Sequence, residues 1–300
     1  MGRTEAEIRA RIRGTTEFGV PLARQTSYGI GGPARVVAWP ADEADLLECL
    51  NLAAADGMPV VVLGAGSNTL FRDGGFPGMV IRPDAFRELT REGERIVAGA
   101  GVRISRLLAF AVRQALGGLE ILTGIPGTVG GAVWGNAGAW GGAVADRVLA
   151  VRIVRAAEGA AEMPRAAIPF RYRASGLPAG AVITRAILGL VPGDAGEIRR
   201  RISAFLVQRN RKQPVEYRSA GSIFKNPPGD YAGRLVDAAG LKGTRIGNAQ
   251  ISEKHGNFIV NLGGARAADV LALVELARRR VRESAGIELE LELQVVGVDA

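Results

Sequence analysis

The chain has 300 residues, room for one large domain or two ordinary ones, and 47% of them are apolar, ample for a packed core. Its one cysteine, Cys49, excludes an internal disulfide and suits a reducing cytoplasm, and with a single histidine it cannot build a usual zinc site, so no metal is expected. The net charge of +8 rests almost wholly on dispersed arginines, which points to phosphorylated small molecules rather than nucleic acid.

Residues 1–14 are charged and helical in pattern, with no apolar core of a secretory signal. No apolar run reaches the roughly 18 residues of a membrane span. A turn-rich stretch, TSYGIGG (26–32), leads into a strand at 34–39. Asp42 then caps a helix running to residue 55, which Gly57 stops. A short buried strand is expected at 59–63, running into Gly64-Ala65-Gly66-Ser67-Asn68-Thr69. This is half of a dinucleotide fingerprint without its third glycine or its long helix. The remainder is either a bare turn or a loop whose amides, with Ser67 and Asn68, cradle a pyrophosphate. Strands follow at 79–82 and 95–98, then a helix over 102–116 that Gly117-Gly118 ends.

Residues 123–142 read TGIPGTVGGAVWGNAGAWGG, with eight glycines. Ordering so much glycine is entropically costly, and chains accept it where another molecule must come close. The interspersed Ile125, Val129, Ala132, Val133 and Trp134 exclude a flexible linker. The segment reads as an ordered loop against a large flat ligand, with a ligand-free turn cluster as the alternative.

Strands are expected at 148–155 and 181–190, and between them an extended Phe170–Ser175 segment puts Arg171 and Arg173 on one side, next to Tyr172. Pro192-Gly193 marks a boundary, followed by a helix over 195–209 with Ile198, Ile202, Phe205 and Leu206 inward. Next come GSIFKNPP (221–228), a helix around 231–239, strand and loop over 246–261, a helix over 267–284 and an alternating strand over 287–296. Three polar groups could carry chemistry. Ser222 sits in a rigid glycine turn that can aim its hydroxyl, with Lys225 nearby to help it donate a proton. Arg173 suits a carboxylate or phosphate. Glu288, Glu290 and Glu292 share one strand face, and periodicity does not choose among them. A serine hydrolase using His255 is disfavoured, because no G-x-S-x-G elbow is present.

Taken in order, TSYGIGGPA (26–34), LGAGSNTLFRDGGFPGMVI (63–81), the 124–142 segment, YRAS (172–175), AGSIFKNP (220–227), AGLKG (239–243) and ISEKHGNFIVN (251–261) resemble the UDP-N-acetylenolpyruvoylglucosamine reductases over residues 17–297. The resemblance implies an α+β fold. A vanillyl-alcohol-oxidase-type (PCMH-type) FAD-binding domain of two subdomains is expected over 17–194. A smaller α+β substrate-binding domain is expected over 195–300, its last strand packing back toward the flavin, in the compact subtype. It further implies an NADPH-dependent flavoenzyme that makes UDP-N-acetylmuramate for bacterial peptidoglycan. With the cysteine, charge and span readings above, the expectation is a cytoplasmic monomer without nucleic-acid or membrane partners.

By the same resemblance FAD is held by Gly64, Ala65, Gly66, Ser67 and Asn68 and by Gly124, Ile125, Pro126, Gly127, Thr128, Gly130, Gly131, Asn136 and Gly138. Ser222 matches the family's proton donor, Arg173 its substrate-activating arginine and Glu292 its catalytic glutamate, with Glu290 as the fallback because the sequence after Glu292 departs from the family pattern. Tyr172, Lys225, Asn226, Gln250 and His255 are the substrate-binding candidates. An FAD-dependent oxidase of an alcohol or sugar on the same fold is the enzyme alternative, and a nucleotide-sugar-binding module the non-enzymatic one.

Overall fold

The chain was analysed as a computed structural model that describes residues 3–300. In chain order the principal elements are α1 (Glu5–Arg11), β1 (Thr15–Pro21), β2 (Pro33–Trp39), α2 (Glu43–Ala55), β3 (Val60–Val62), β4 (Thr69–Phe71), β5 (Phe76–Ile81), β6 (Leu89–Glu92), β7 (Arg95–Gly99), α3 (Ile104–Arg113), α4 (Val129–Trp134), β8 (Val148–Arg155), β9 (Gly159–Pro164), β10 (Val182–Gly189), α5 (Ala195–Lys212), α6 (Ala232–Ala238), β11 (Ala249–Ile251), β12 (Ile259–Asn261), α7 (Ala267–Ala285) and β13 (Gln294–Val296). They divide into two compact units, each built from separate stretches of chain. The first holds residues up to Phe18, Val36–Ala65 and Gly78–Val207; the second holds Gly19–Arg35, Gly66–Pro77 and Gln208–Ala300.

In the first unit, α2 begins where Asp42 accepts the Asp45 N–H at 2.9 Å. Asp45, itself buried, accepts the N–H groups of Arg13, Gly14 and Ala41 at 2.8 Å each and so fixes the turn before β1. Strands β3 and β5 pair in parallel within a four-stranded sheet of order β1-β2-β5-β3. Leu46, Cys49, Leu50 and Leu52 of α2 join Val36, Met79 and Ile81 in one core. A second, antiparallel sheet of order β9-β8-β10-β7-β6 buries its own core under α3 and α4, with Ile96, Leu107, Val133, Val151 and Leu188 at its centre. Glu43 of α2 ties to that sheet through a forked pair with Arg152 (2.8 and 2.9 Å) and the Thr184 hydroxyl (2.6 Å). The Arg152 guanidinium beside it holds the Glu43 carboxyl below the usual carboxylate range.

The second unit is organised by α7, whose Val270, Leu273, Val274, Ala277 and Val281 pack on Leu235, Val236, Ile251 and Ile259. A four-stranded antiparallel sheet contains β12 and β11, flanked by residues 218–219 and 245–246. Strand β13 pairs in parallel with β4. The TSYGIGG and FRDGG motifs act here as structural pegs. Tyr28 is fully buried and donates to Ile259 O at 3.0 Å, while Asn261 Nδ2 donates to Tyr28 O at 2.9 Å. Asp73 accepts the Ala267 and Ala268 N–H groups at 2.8 and 3.0 Å, capping α7 from almost two hundred residues away.

Several expectations change. Residues 123–142 are not all loop, because Thr128 caps the six-residue α4 within them. Of the 59–63 strand only Leu63 is buried, and Val62 is 42% exposed. Residues 170–175 form a turn closed by an Arg171–Ala174 bridge, not an extended segment, so Arg171 and Arg173 do not share a strand face. The 287–296 strand shrinks to β13; its alternation survives as buried Leu289 and Leu293 between exposed or half-buried glutamates. Residues 191–192 pair with 116–117, and Leu206, expected inward, is 40% exposed. Strands β1 and β6 carry no sequence signal strong enough to predict.

Cys49 lies fully buried on α2, where burial pushes its thiol up to about 12. A thiolate is the reactive form. The folded protein is therefore expected to leave a disulfide-exchange reagent unconsumed at pH 8, and the denatured protein to consume one equivalent. Rapid stoichiometric labelling of the folded protein would contradict this placement.

Candidate active site

Within the first unit the start of the first glycine loop, Gly64, meets the second glycine loop. A Cβ added to Gly64 would fall 2.5 Å from Thr128 Oγ1, so Gly64 lies directly on the cap of α4. Thr128 itself is buried, and its Oγ1 accepts the Gly131 N–H at 3.4 Å. A side chain at 64 would take the space that keeps these backbones together. Asn136, also buried, accepts the Ala145 N–H at 3.2 Å and donates to Arg171 O at 2.8 Å, which fixes the next turn. In that turn Arg173 adopts φ +57°, donates through Nη1 to Gly138 O at 3.1 Å and lies 5.1 Å over the Tyr172 ring. Arg173, Tyr172, Asn136 and Gly138 are thus one bonded group in this unit, and α4 joins them along the chain to the contact of Thr128 with Gly64.

Two buried polar atoms of the same segment, Thr123 Oγ1 and Trp140 Nε1, have no hydrogen-bond partner among the described residues. Trp134 on α4 leaves 49% of its surface open. Buried polar groups are normally satisfied. Orphaned polar atoms, an open indole and a glycine seated on a helix cap together fit a large, flat ligand that carries hydrogen-bonding groups.

The second unit gathers the other candidates. Gly221 at φ +74° turns the chain into Ser222, and a Cβ there would meet only Ser67 O, at 3.9 Å. Ser222 is half-buried. Glu292 N donates to Ile223 O at 2.8 Å, and Asn68 Nδ2 donates to Glu292 O at 3.0 Å. Ser67, Asn68, Ser222 and Glu292 therefore share one neighbourhood. Glu290 points elsewhere: its side chain is 73% exposed and paired with Lys225 Nζ. Asn226 Oδ1 accepts the Ala232 N–H at 3.1 Å at the start of α6, and Gln250 Nε2 donates to Gly243 O at 3.0 Å. His255 packs edge-on to Phe258 and accepts the Asn257 N–H at Nδ1 (3.1 Å). Burial, with the Lys242 charge adding to it, holds the imidazole below its usual pKa and so neutral. Sequence reasoning passed over Asn257, whose only signal is a polar residue set inside the apolar NFIVN run.

Among the described residues no group of His, Cys, Asp and Glu could hold a metal ion, and no helix is long and apolar enough to cross a membrane.

The family described as FAD binding domain matches residues 34–162, and the family described as UDP-N-acetylenolpyruvoylglucosamine reductase, C-terminal domain, matches residues 213–296. The structure is similar, at 20% identity and a TM-score of 0.51, to Physcomitrella patens BBE-like 1, over 63% of this chain and 45% of that one, a likeness of fold alone. These matches and the glycine cradle define an α+β flavin oxidoreductase with an FAD-binding domain of the vanillyl-alcohol-oxidase type.

A UDP-N-acetylenolpyruvoylglucosamine reductase of Anaeromyxobacter sp. (strain Fw109-5) is 49% identical over 97% of this chain and 92% of its own length. That of Moorella thermoacetica is 44% identical over 92% of each. The crystal structure of the Thermus caldophilus enzyme covers 95% of this chain and 99% of its own, with a TM-score of 0.82 and 42% identity. The chain belongs to the UDP-N-acetylenolpyruvoylglucosamine reductase family.

Proposed function

We propose that this enzyme binds FAD and uses NADPH to reduce the enolpyruvyl group of UDP-N-acetylglucosamine-enolpyruvate to UDP-N-acetylmuramate, in cytoplasmic peptidoglycan precursor synthesis. Family membership at 49% identity along nearly the whole chain is the observation that carries this reading. The flavin-binding part is assigned to 17–194 and the substrate-binding part to 195–300. The backbones of 64–68 and 124–138 hold FAD, with Thr128 and Asn136 ordering the second loop.

When bound, FAD supplies the relay by which a hydride from NADPH reaches C3 of the enolpyruvyl group. The C2–C3 double bond is consumed as C3 becomes a methyl group, and negative charge gathers at C2 and the adjoining carboxylate. Arg173, held by Gly138 O, binds that carboxylate bidentately. The Ser222 hydroxyl delivers the proton to C2. Glu292 steadies the charge; its half-buried place beside the Ser222 turn supports it over the exposed, lysine-paired Glu290. Tyr172, Lys225, Asn226, Gln250 and the neutral His255 are assigned to the UDP-sugar. The net charge of +8 suits three anionic ligands.

The test separates the half-reactions. Under anaerobic conditions NADPH should bleach the yellow flavin, and UDP-N-acetylglucosamine-enolpyruvate should restore its colour with one equivalent of product. A bleached flavin that only oxygen reoxidises would favour the oxidase alternative.

A further inference from the structure

Ser222 has little of its own to hold it in place, and what fixes it is a side chain thirty-five positions later. Asn257 is buried, and its amide forms a closed pair with the backbone of Phe224: Phe224 N donates to Asn257 Oδ1 at 2.8 Å, and Asn257 Nδ2 donates to Phe224 O at 2.8 Å. Its own carbonyl accepts the Ile223 N–H at 3.0 Å. One residue thus imitates a neighbouring strand for the two residues that follow Ser222. On their other side, Ile223 O accepts Glu292 N (2.8 Å) and Leu293 N (3.2 Å), and Phe224 bridges Leu291. Ile223 and Phe224 are themselves buried, so water cannot substitute for a lost bond. The backbone N–H of Asn257 in turn donates to His255 Nδ1 at 3.1 Å, which ties down the main chain that carries the amide.

We infer that Asn257 is a positioning residue for proton delivery, setting the direction of the Ser222 hydroxyl through a two-way amide bond to Phe224. This rests on the assignment of Ser222 as proton donor. Replacing Asn257 by Asp keeps the shape and the acceptor for Phe224 N–H, but sets a second acceptor against Phe224 O. A displaced donor loses rate steeply, by up to about a hundredfold for 1 Å.

The test is a double-mutant cycle read in stopped flow on FAD-loaded protein. Asn257→Asp, and Asn257→Ser as a second variant, should be reduced by NADPH at a rate within about twofold of the unchanged protein. Reoxidation by UDP-N-acetylglucosamine-enolpyruvate should slow by about 10- to 100-fold. In a Ser222→Ala background the same changes should slow reoxidation no further, since the group they aim is gone. A merely structural role would instead slow both half-reactions and add to the Ser222 change. Any of three results overturns the inference: unchanged reoxidation, additive losses, or two variants that fail to fold around FAD. If Ser222→Ala alone reoxidises at the normal rate, the donor assignment fails, a result distinct from these.

Discussion

Ser222→Ala should leave flavin reduction by NADPH intact and slow reoxidation by the enolpyruvyl substrate about 10³-fold. Removing a positioned general acid costs about 10²- to 10⁴-fold, and about 10³-fold corresponds to roughly 4 kcal/mol of transition-state stabilisation. The change is clean because the turn does not depend on the hydroxyl. The bonds that hold it belong to the backbones of Ile223 and Phe224 and to Asn257. Removing one half-buried oxygen on which no bond of the turn depends should move stability by no more than about 0.5 kcal/mol. Stopped-flow absorbance of the flavin checks both phases on one sample. Equal rates of reoxidation with and without the hydroxyl would remove Ser222 from the chemistry.

Gly64→Ala should yield a protein that folds but loses its colour on purification. The added methyl would stand 2.5 Å from Thr128 Oγ1, inside any real contact distance. Rotating that hydroxyl away gives up its cap on α4, a loss of about 1 kcal/mol. Moving the backbone instead costs about 1–3 kcal/mol of overpacking strain. Either response displaces the loop proposed to meet the pyrophosphate, so FAD affinity should fall by about 10- to 100-fold. The apoprotein should melt only a few degrees lower, by about 2–4 °C per kcal/mol for a chain of this class. Titration of apoprotein with FAD gives the affinity directly. Wild-type affinity in the variant would show that the contact between the two loops has no part in holding the cofactor.

The parts of this protein that were legible in its sequence are those where a local rule governs. Asp42 announces α2 because capping needs only a side chain and the next three amides. The periodic α7 and β8 come within a residue or two of their expected bounds. Failures occur where a distant partner decides. Residues 170–175 alternate like a strand, yet Asn136, thirty-five residues earlier, grips Arg171 O and the chain turns. FRDGG looks like one more turn, while Asp73 in fact caps a helix near the far end of the sequence. The 123–142 segment hides α4 because glycine is a poor helix former, and only Thr128 betrays it. The candidate site was readable as a set of motifs in order. The bonds that aim its side chains, those of Asn257 above all, were not, since each joins positions far apart in the chain.

The interleaving of the two units bears on how the polypeptide is made. Residues 19–35 and 66–77 leave the ribosome early, yet their companions in the second unit span 208–300. Tyr28 must wait for Ile259, and β4 for β13, each joined more than two hundred residues later. The first unit is complete once residue 207 has emerged. During the intervening synthesis two looped-out stretches of the second unit are carried along without their core. Contacts of such long sequence separation form slowly, and apolar residues such as Leu70 and Ile30 stay uncovered for that interval, a window in which chaperones can engage the nascent chain.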